Sequence, residues 1–241
     1  MSNDEARKND EARNPKTNHA MTLNIRASGF FRSRKAGSFV LRHLCILCLL
    51  LLPASAVPPP VPDWPAIQAA RWQRAEIRKE KIHFVAALCA QIGRNRPRYE
   101  QVARKTGVPW PVIASIHNME CGLSFREHLH NGDPLTARTR HVPAGRPLDG
   151  TPPFAWETSA VDALHFDRLD IADWHSPGST LQAIEAYNGT GYQRYHPGIP
   201  SPYLWSWTTL YTRGKYIEDG KWSDTAISGQ CGTVALLKML E

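Results

Sequence analysis

The chain has 241 residues, of which 42% are hydrophobic, with 8 Trp, 7 Tyr and 7 Phe. That length fits one globular domain with extensions, and the apolar content excludes a chain that is disordered throughout. The formal net charge is +7, but residues 1–56 hold nine Lys or Arg against four acids and so contribute +5 of it. Because the remainder carries only +2, the charge does not indicate a nucleic-acid partner.

The N-terminal quarter has the order of an export signal. Residues 1–20 are polar, and we expect residues 1–36 to form a disordered extension. The basic residues Arg32, Arg34, Lys35 and Arg42 precede the apolar run 44–52, which ends in Pro53 and three small residues, and residues 37–56 are the predicted signal peptide. This run is shorter than the roughly 20 residues that a membrane-spanning helix needs. The sequence therefore predicts cleavage after Ala56 and an exported protein, periplasmic or secreted, with no stable membrane insertion. A retained anchor is the alternative.

The Pro-rich segment 57–64 is typical of a stiff linker, and residues 65–241 form the predicted domain. Apolar residues at helical spacing predict one long helix from residue 65 to 93. Shorter helices are predicted over 99–106, 111–120, 156–164, 179–187 and 225–240. Within 125–142, an Asn-Gly turn signal between short extended stretches predicts a β-hairpin. The expected fold class is α+β, mainly α, with one small hairpin.

Glu120 stands out because it ends an apolar helix instead of a polar one. On helical spacing it lies beside Ile113 and Ile116. A carboxyl half buried among apolar side chains holds its proton more tightly than one in water, which suits a general acid. The alternative is a solvent-exposed Glu at a helix end.

Two segments carry a family resemblance. Residues 116–121 (Ile-His-Asn-Met-Glu-Cys) and 186–192 (Ala-Tyr-Asn-Gly-Thr-Gly-Tyr) resemble the Glu-Ser and Ala-Tyr-Asn-x-Gly signatures of lytic transglycosylases and goose-type lysozymes. The resemblance covers residues 99–192 and implies a lysozyme-like catalytic domain acting on peptidoglycan or a related N-acetylhexosamine polymer. It implies Glu120 as general acid in cleavage of the β-1,4 glycan. It also implies a substrate-binding role for Tyr187, Asn188, Gly189 and Tyr192.

The predicted hairpin carries Asp133, followed six residues later by Thr139. This pair resembles phage-type lysozymes, in which an Asp and a Thr hold the attacking water opposite the acid. The alternative is that Asp133 belongs to an Asn-Gly-Asp-Pro turn. Cys121 stands where transglycosylases have Ser, and no Gly-Leu-Met-Gln segment follows Glu120. We therefore expect a muramidase that uses water, with a lytic transglycosylase giving 1,6-anhydro products as the alternative.

Other types of site have weaker support. His128, His130 and His141 have the alternation of a possible metal site, but no ligand motif accompanies them, and we expect neither a metal nor a cofactor. A Cys121-dependent amidase or peptidase is an alternative, although Cys121 follows the C-terminal end of its helix and lacks the dipole that favours a thiolate. The aromatic segment 202–211 is compatible with a domain that binds glycan without cleaving it. We expect a monomer that binds no nucleic acid.

Overall fold

The structure, a computed structural model, describes residues 61–218 and 220–241. These residues form nine α-helices and one two-stranded antiparallel hairpin, which confirms the α+β, mainly α class. The predicted extension, the signal peptide and residues 57–60 of the linker lie outside the described residues. None of the described helices reaches the length and hydropathy that a membrane-spanning helix needs.

The helices are α1 (Trp64–Arg74), α2 (Ile82–Arg94), α3 (Arg96–Thr106), α4 (Trp110–Cys121), α5 (Trp156–Phe166), α6 (Pro177–Asn188), α7 (Gly191–Tyr195), α8 (Pro202–Trp205) and α9 (Thr233–Leu240). Two 3-10 turns cover Lys79–Lys81 and Leu169–Ile171. The strands are β1 (Lys215–Glu218) and β2 (Lys221–Ser223), with Tyr216 opposite Trp222.

The predicted long helix over 65–93 is wrong, because the chain leaves helical geometry after Arg74 and resumes it only at Lys79. Tertiary pairing explains the break. Ile77 forms a β-bridge with Thr208, and the backbone N–H of Arg78 donates to the Trp207 carbonyl at 3.0 Å. These bonds replace those that a continuous helix would make, and they fasten the joint between α1 and α2 to the segment after α8.

The predicted hairpin in 125–142 is also wrong in position. The Asn131-Gly132 turn forms, with the Gly132 N–H bonded to the His128 carbonyl at 2.8 Å, but pairing stops at one isolated bridge between Glu127 and Pro134. Pro134 has no N–H to donate and so cannot extend a ladder. The observed hairpin lies in a later part of the chain, at 215–223.

The glycine helix stops are confirmed, whereas the start of the last helix is not. Gly107 and Gly122 end α3 and α4 in the left-handed conformation, with φ of 74° and 54°. The helix predicted over 225–240 begins only at Thr233. Gly232 explains this, because a Cβ there would lie 2.6 Å from the Leu204 carbonyl oxygen. The backbone just before α9 therefore packs directly on the end of α8.

The packing of α1 against α6 encloses a charged residue. A Cβ at Gly178 of α6 would lie 2.3 Å from the Pro65 carbonyl oxygen of α1, so the two backbones touch. Further along this contact, Glu185 is 1% exposed and accepts a hydrogen bond from Gln68 Nε2 at 2.5 Å. Burial raises the pKa of Glu185 to about 7, against the opposing effects of Gln193, Arg71 and Gln68.

We expect the stability of the domain to fall as the pH rises through this range. The pKa of Glu185 is higher in the folded chain than its ordinary 4.5, so folding favours the protonated form. The stabilising contribution is complete below about pH 4.5, declines towards pH 7 and is absent above it. Glu185→Gln should therefore raise the free energy of unfolding by up to about 3 kcal/mol near pH 8 and leave it unchanged near pH 4.

Urea unfolding of the two proteins across this pH range measures the effect. Glu100→Gln is the matched control, because Glu100 is a partly exposed carboxyl on α3 that pairs with Arg96 at 2.7 Å. It should change stability by less than about 1 kcal/mol at either pH. Equal pH dependence in the wild type and in Glu185→Gln would show that Glu185 does not carry the proton.

Candidate functional site

Glu120 lies in the last turn of α4, a helix surrounded by protein for most of its length. Residues 112–118 are all buried, whereas Glu120 is half-buried. Gly122 then turns the chain sharply away, and its N–H bonds to the Asn118 and His117 carbonyls. The sequence prediction of a partly buried carboxyl at the end of an apolar helix is confirmed in its geometry.

Tyr203 of α8 reaches the Glu120 carboxyl. Its hydroxyl donates a hydrogen bond to Glu120 Oε1 at 3.1 Å, across 83 residues of sequence. The ring of Tyr203 is 7% exposed, and the adjacent Leu204 and Trp205 are fully buried. A donor held by a packed short helix fixes one carboxyl oxygen in place, which is the preorganisation that a catalytic acid requires.

The segment before α9 forms another boundary of the site. Gln230 Nε2 donates to the Met119 carbonyl at 3.3 Å, and Asn118 Nδ2 donates to the Cys231 carbonyl at 3.1 Å. These bonds join the last turn of α4 to the chain that enters α9. The bond from Gln230 satisfies the Met119 carbonyl, one of those that the end of a helix leaves without an internal partner.

The turn at Gly132 approaches Glu120 from the other direction. A Cβ at Gly132 would lie 3.2 Å from the Glu120 carbonyl oxygen and 3.8 Å from Glu127 Oε2. Those two oxygens are therefore at most 7.0 Å apart, the sum of the two distances. Glu127 is half-buried and places a second carboxylate beside the end of α4, a residue that the sequence prediction did not include.

Asp133 is bound into its own loop. Its Oδ2 accepts the N–H groups of Arg140 and His141 at 2.7 and 2.9 Å, and its Oδ1 lies 2.6 Å from His141 Nδ1. Burial raises the pKa of Asp133, but the hydrogen bonds from His141 and Arg140 outweigh burial and leave the pKa below its ordinary value. This geometry agrees with the turn interpretation of Asp133 and makes it a weak base.

Thr139 is occupied in a similar way. Its hydroxyl donates to the Pro143 carbonyl at 2.5 Å and accepts the Arg146 N–H at 2.9 Å. Thr139 is 4% exposed, so the hydroxyl stabilises the loop that returns at 143–146. Its assignment to a water-holding role stays a prediction, and the contacts of its hydroxyl give that role no direct support.

The second motif meets the first through Tyr187. The Tyr187 hydroxyl donates to the Leu129 carbonyl at 2.9 Å, so it supports the segment that follows Glu120. Asn188 and Gly189 are half-buried at the end of α6, where the Gly189 N–H closes the helix on Glu185. Tyr192 is 8% exposed and packs edge-on against Tyr216 and Trp222 of the hairpin. Tyr187, Asn188 and Gly189 lie at the end of α6 and Tyr192 lies in α7, and Tyr187 and Tyr192 are largely buried.

The three histidines considered for a metal have separate partners. His128 bonds to Ser159 and to the Ala137 carbonyl, both at 2.7 Å, while His130 Nε2 lies 2.8 Å from Asp162. Burial lowers the pKa of His130 to about 4, against the opposing effect of Asp162. Within the described part of the chain, no cluster of His, Cys, Asp or Glu has the arrangement of a metal site.

The cysteine interpretation can be compared with the position of the thiol. Cys121 is 4% exposed, and its Sγ donates to the His128 carbonyl at 3.3 Å. The described cysteines Cys89, Cys121 and Cys231 are free thiols. A buried thiol that donates to a carbonyl is poorly presented to a substrate, so the geometry favours the carboxylates over Cys121 as the reacting groups.

A separate apolar cavity of about 260 Å³ lies near the opposite end of α4. Val112, Trp72, Trp174 and Leu237 are among its lining residues. At 1.5 Å per helical residue, Val112 is about 12 Å along the axis from Glu120. The cavity therefore contains none of the predicted site residues and is not part of the site around Glu120.

Comparisons with protein-family models, with curated proteins and with solved structures find no match for this chain. The resemblance to the lysozyme-like families consequently stays a prediction that rests on the two motifs. The geometry adds that both motifs belong to one contiguous assembly of α4, the segment after it, and α6.

Two glycines test the closeness of the Gly132 turn to Glu120. Gly132 and Gly145 have almost equal positive φ values, 78° and 79°, but a Cβ at Gly145 would have no neighbour within 4 Å. Alanine at Gly145 should cost about 1 kcal/mol for backbone strain alone. Alanine at Gly132 should cost on the order of 1 kcal/mol more, because it must displace the Glu120 carbonyl.

Chemical denaturation of the two alanine variants measures this difference. The conformational penalty is shared, so subtracting one variant from the other isolates the contact with Glu120. Equal destabilisation would mean that the turn can move away from α4 without cost.

Proposed function

We propose that this protein is an exported peptidoglycan hydrolase that cleaves the β-1,4 glycan backbone, with Glu120 as the general acid. The observation that carries the proposal is the hydrogen bond from Tyr203 to Glu120 Oε1 at the end of the buried helix α4. This contact joins distant parts of the chain at a half-buried carboxyl, and the second motif packs on the segment that follows it.

The proposed reaction uses two carboxyl groups. Glu120 gives its proton to the glycosidic oxygen while the bond from that oxygen to the anomeric carbon breaks. Water adds its hydroxyl to the anomeric carbon, and a second carboxylate takes the proton that the water loses. Each catalytic cycle consumes one water and returns both carboxyl groups to their starting state after proton exchange with solvent.

We assign the second role to Glu127 because its carboxylate lies beside the last turn of α4. Its Oε2 is within 7.0 Å of the backbone carbonyl oxygen of Glu120, the sum of 3.2 and 3.8 Å measured from one point at Gly132. Asp133, in contrast, uses both oxygens to hold the N–H groups of residues 140–141 and the His141 ring. We therefore propose Glu127 as the group that activates water, with Asp133 maintaining the loop on which Glu127 and the Gly132 turn depend.

The binding-only alternative rested on the aromatic segment 202–211, and its side chains are mostly in the core. Tyr203, Trp205 and Tyr211 are 7%, 0% and 3% exposed. These three rings are too buried to stack on sugars, and Trp207 is the half-buried aromatic residue of the segment. Tyr203 instead holds the Glu120 carboxyl through its hydroxyl, which favours the enzyme proposal over a pure binder.

Glu120→Gln should lower release of soluble fragments from purified cell walls by at least about 100-fold, because the amide cannot donate the proton. The amide oxygen can still accept the Tyr203 bond, so wall binding in a pull-down should persist. Tyr203→Phe should lower turnover about tenfold through loss of one hydrogen bond to the acid.

Glu100→Gln is the activity control, since Glu100 lies on α3 in an ion pair with Arg96. It should degrade walls at the wild-type rate. Undiminished wall clearing by Glu120→Gln would remove Glu120 from the mechanism. Release of peptide ends in place of sugar ends would indicate an amidase instead.

Mass spectrometry of the products separates hydrolysis from transglycosylation. With a carboxylate to activate water, the products should be reducing sugars, and Glu127→Gln should lower turnover at least about tenfold. Asp133→Asn should lower the unfolding temperature, because Asp133 accepts several hydrogen bonds in its loop.

Two other outcomes would change the assignment of the water-activating residue or of the reaction type. A stably folded but inactive Asp133→Asn variant would assign water activation to Asp133. Products lighter by one water, together with full activity in both variants, would indicate a lytic transglycosylase that forms 1,6-anhydro rings. Export belongs to the same proposal, and N-terminal sequencing of protein from its host should find a start close to Val57.

A further inference from the structure

Helix α2 leaves an apolar face uncovered. Of its 13 residues only Val85 and Ile92 are buried, although most of the helix is apolar. Ile82 and Phe84 are 46% and 55% exposed. Small apolar residues continue the same outer surface along the helix: Ala86, Ala87, Ala90 and Gly93 are all exposed. A mostly apolar helix normally has much more of its surface buried, so the exposed side of α2 is suited to contact with another molecule.

The charge around this face is strongly one-sided. Residues 82–94 contain no Asp or Glu. Across residues 78–96, five Lys or Arg stand against one acid, Glu80, and Glu100 pairs with Arg96 at 2.7 Å, so the local charge is +3 with His neutral. The basic residues lie at both ends of the apolar stretch: Arg78, Lys79 and Lys81 before it, and Arg94 and Arg96 after it.

An aromatic and cationic group extends the face beyond the helix. Phe84 and Trp207 lie with ring centroids 6.1 Å apart, and Lys81 Nζ lies 4.8 Å from the Trp207 ring and 5.6 Å from the Phe84 ring. Trp207 is half-buried with a positive φ of 67°, an unusual backbone for a bulky residue. Aromatic rings next to Lys and Arg are typical of groups that sit at the boundary between water and lipid.

We propose that this face, the exposed side of α2 together with Lys81 and Trp207, docks on the surface of an anionic lipid bilayer. Apolar side chains would enter the boundary between headgroups and acyl chains, and Lys79 and Lys81 before the helix and Arg94 at its end would contact anionic headgroups. This is surface attachment and requires no spanning helix. It stands independently of the proposed glycan cleavage.

The chemistry of the face fits a bilayer better than two other occupants. A second copy of this chain would bring +3 against +3 across the same surface, which is repulsive. A glycan is recognised through many polar side chains, whereas within residues 82–93 only His83 and Gln91 have strongly polar groups. Anionic headgroups supply the complementary charge, and acyl chains supply the apolar contact.

The test compares variants of the full chain in vesicle co-sedimentation. Vesicles of phosphatidylethanolamine with phosphatidylglycerol provide the anionic surface, and phosphatidylcholine vesicles the neutral one. Wild type should bind the anionic vesicles, and the double variant Ile82→Ser with Phe84→Ser should bind at least about tenfold more weakly. Both side chains are about half exposed, so the variant should stay folded with a modest loss of stability from the Phe84–Trp207 contact, which urea unfolding measures.

The matched control is Leu148→Ser with Ile171→Ser, which removes two apolar side chains that are each 66% exposed on other segments. It should bind as wild type within about twofold. Residues 44–52 are apolar and common to all variants, so differences between variants report on α2 alone. A photoactivatable phosphatidylglycerol should label peptides within residues 82–94 of the wild type.

Three results would overturn the proposal: no vesicle binding by wild type, equal binding by the α2 variant and wild type, or lipid labelling confined to residues outside 78–96 and 207. Equal affinity for neutral and anionic vesicles would also contradict the role of the basic residues. If light scattering shows that the α2 variant converts a dimer into a monomer, the face is an interface between copies and not a lipid contact.

Discussion

Burial of α4 is the constraint on which the surroundings of Glu120 depend. A helix that is buried along residues 112–118 packs against α3 on one side and α9 on another, and it cannot rotate without opening the core. The direction of its last turn is therefore fixed, and so is the carboxyl that the turn carries. Short, packed segments are then sufficient to bring the Tyr203 hydroxyl to the Glu120 carboxyl and the Gln230 amide to the Met119 carbonyl. Preorganisation at Glu120 is consequently a result of core packing.

The loop after α4 shows why residues that look catalytic can be structural. Between residues 123 and 155 the described chain has no helix or strand, so its backbone N–H and C=O groups need side-chain partners. Asp133, Thr139 and Asn131 supply them for residues 133–146. Asp162 of α5 holds the same loop from outside, through a pair of bonds from Arg146 at 2.9 and 2.6 Å. The polar composition of this loop therefore has a sufficient explanation in its own folding.

The sequence predicted those features that are set by neighbouring residues. Apolar spacing predicted most of the helices. Gly107 and Gly122 predicted two helix ends, because the chain leaves each helix through a residue in the left-handed conformation, which glycine adopts without strain. Features that depend on contacts between residues far apart in the sequence could not be predicted from it. The break after Arg74 depends on pairing with Thr208, and the contact between Glu120 and Tyr203 spans 83 positions. Glu127 was missed because its significance comes from the Gly132 turn, which folds it back toward α4. The position of Glu120 at the end of an apolar helix could be predicted, but the groups that surround it could not.

Helix α9 packs against both of the helices that carry the two proposed sites. It packs against α4, which carries Glu120, and against α2, which carries the uncovered face. Val234, Ala235 and Leu236 of α9 are fully buried, so this connection is a close-packed interior and not a flexible hinge. If both proposals hold, docking of α2 on a bilayer would hold Glu120 at a fixed height and orientation above the lipid. Cleavage would then be confined to glycan chains at that distance from the bilayer. Attachment through a flexible linker alone would not impose this restriction.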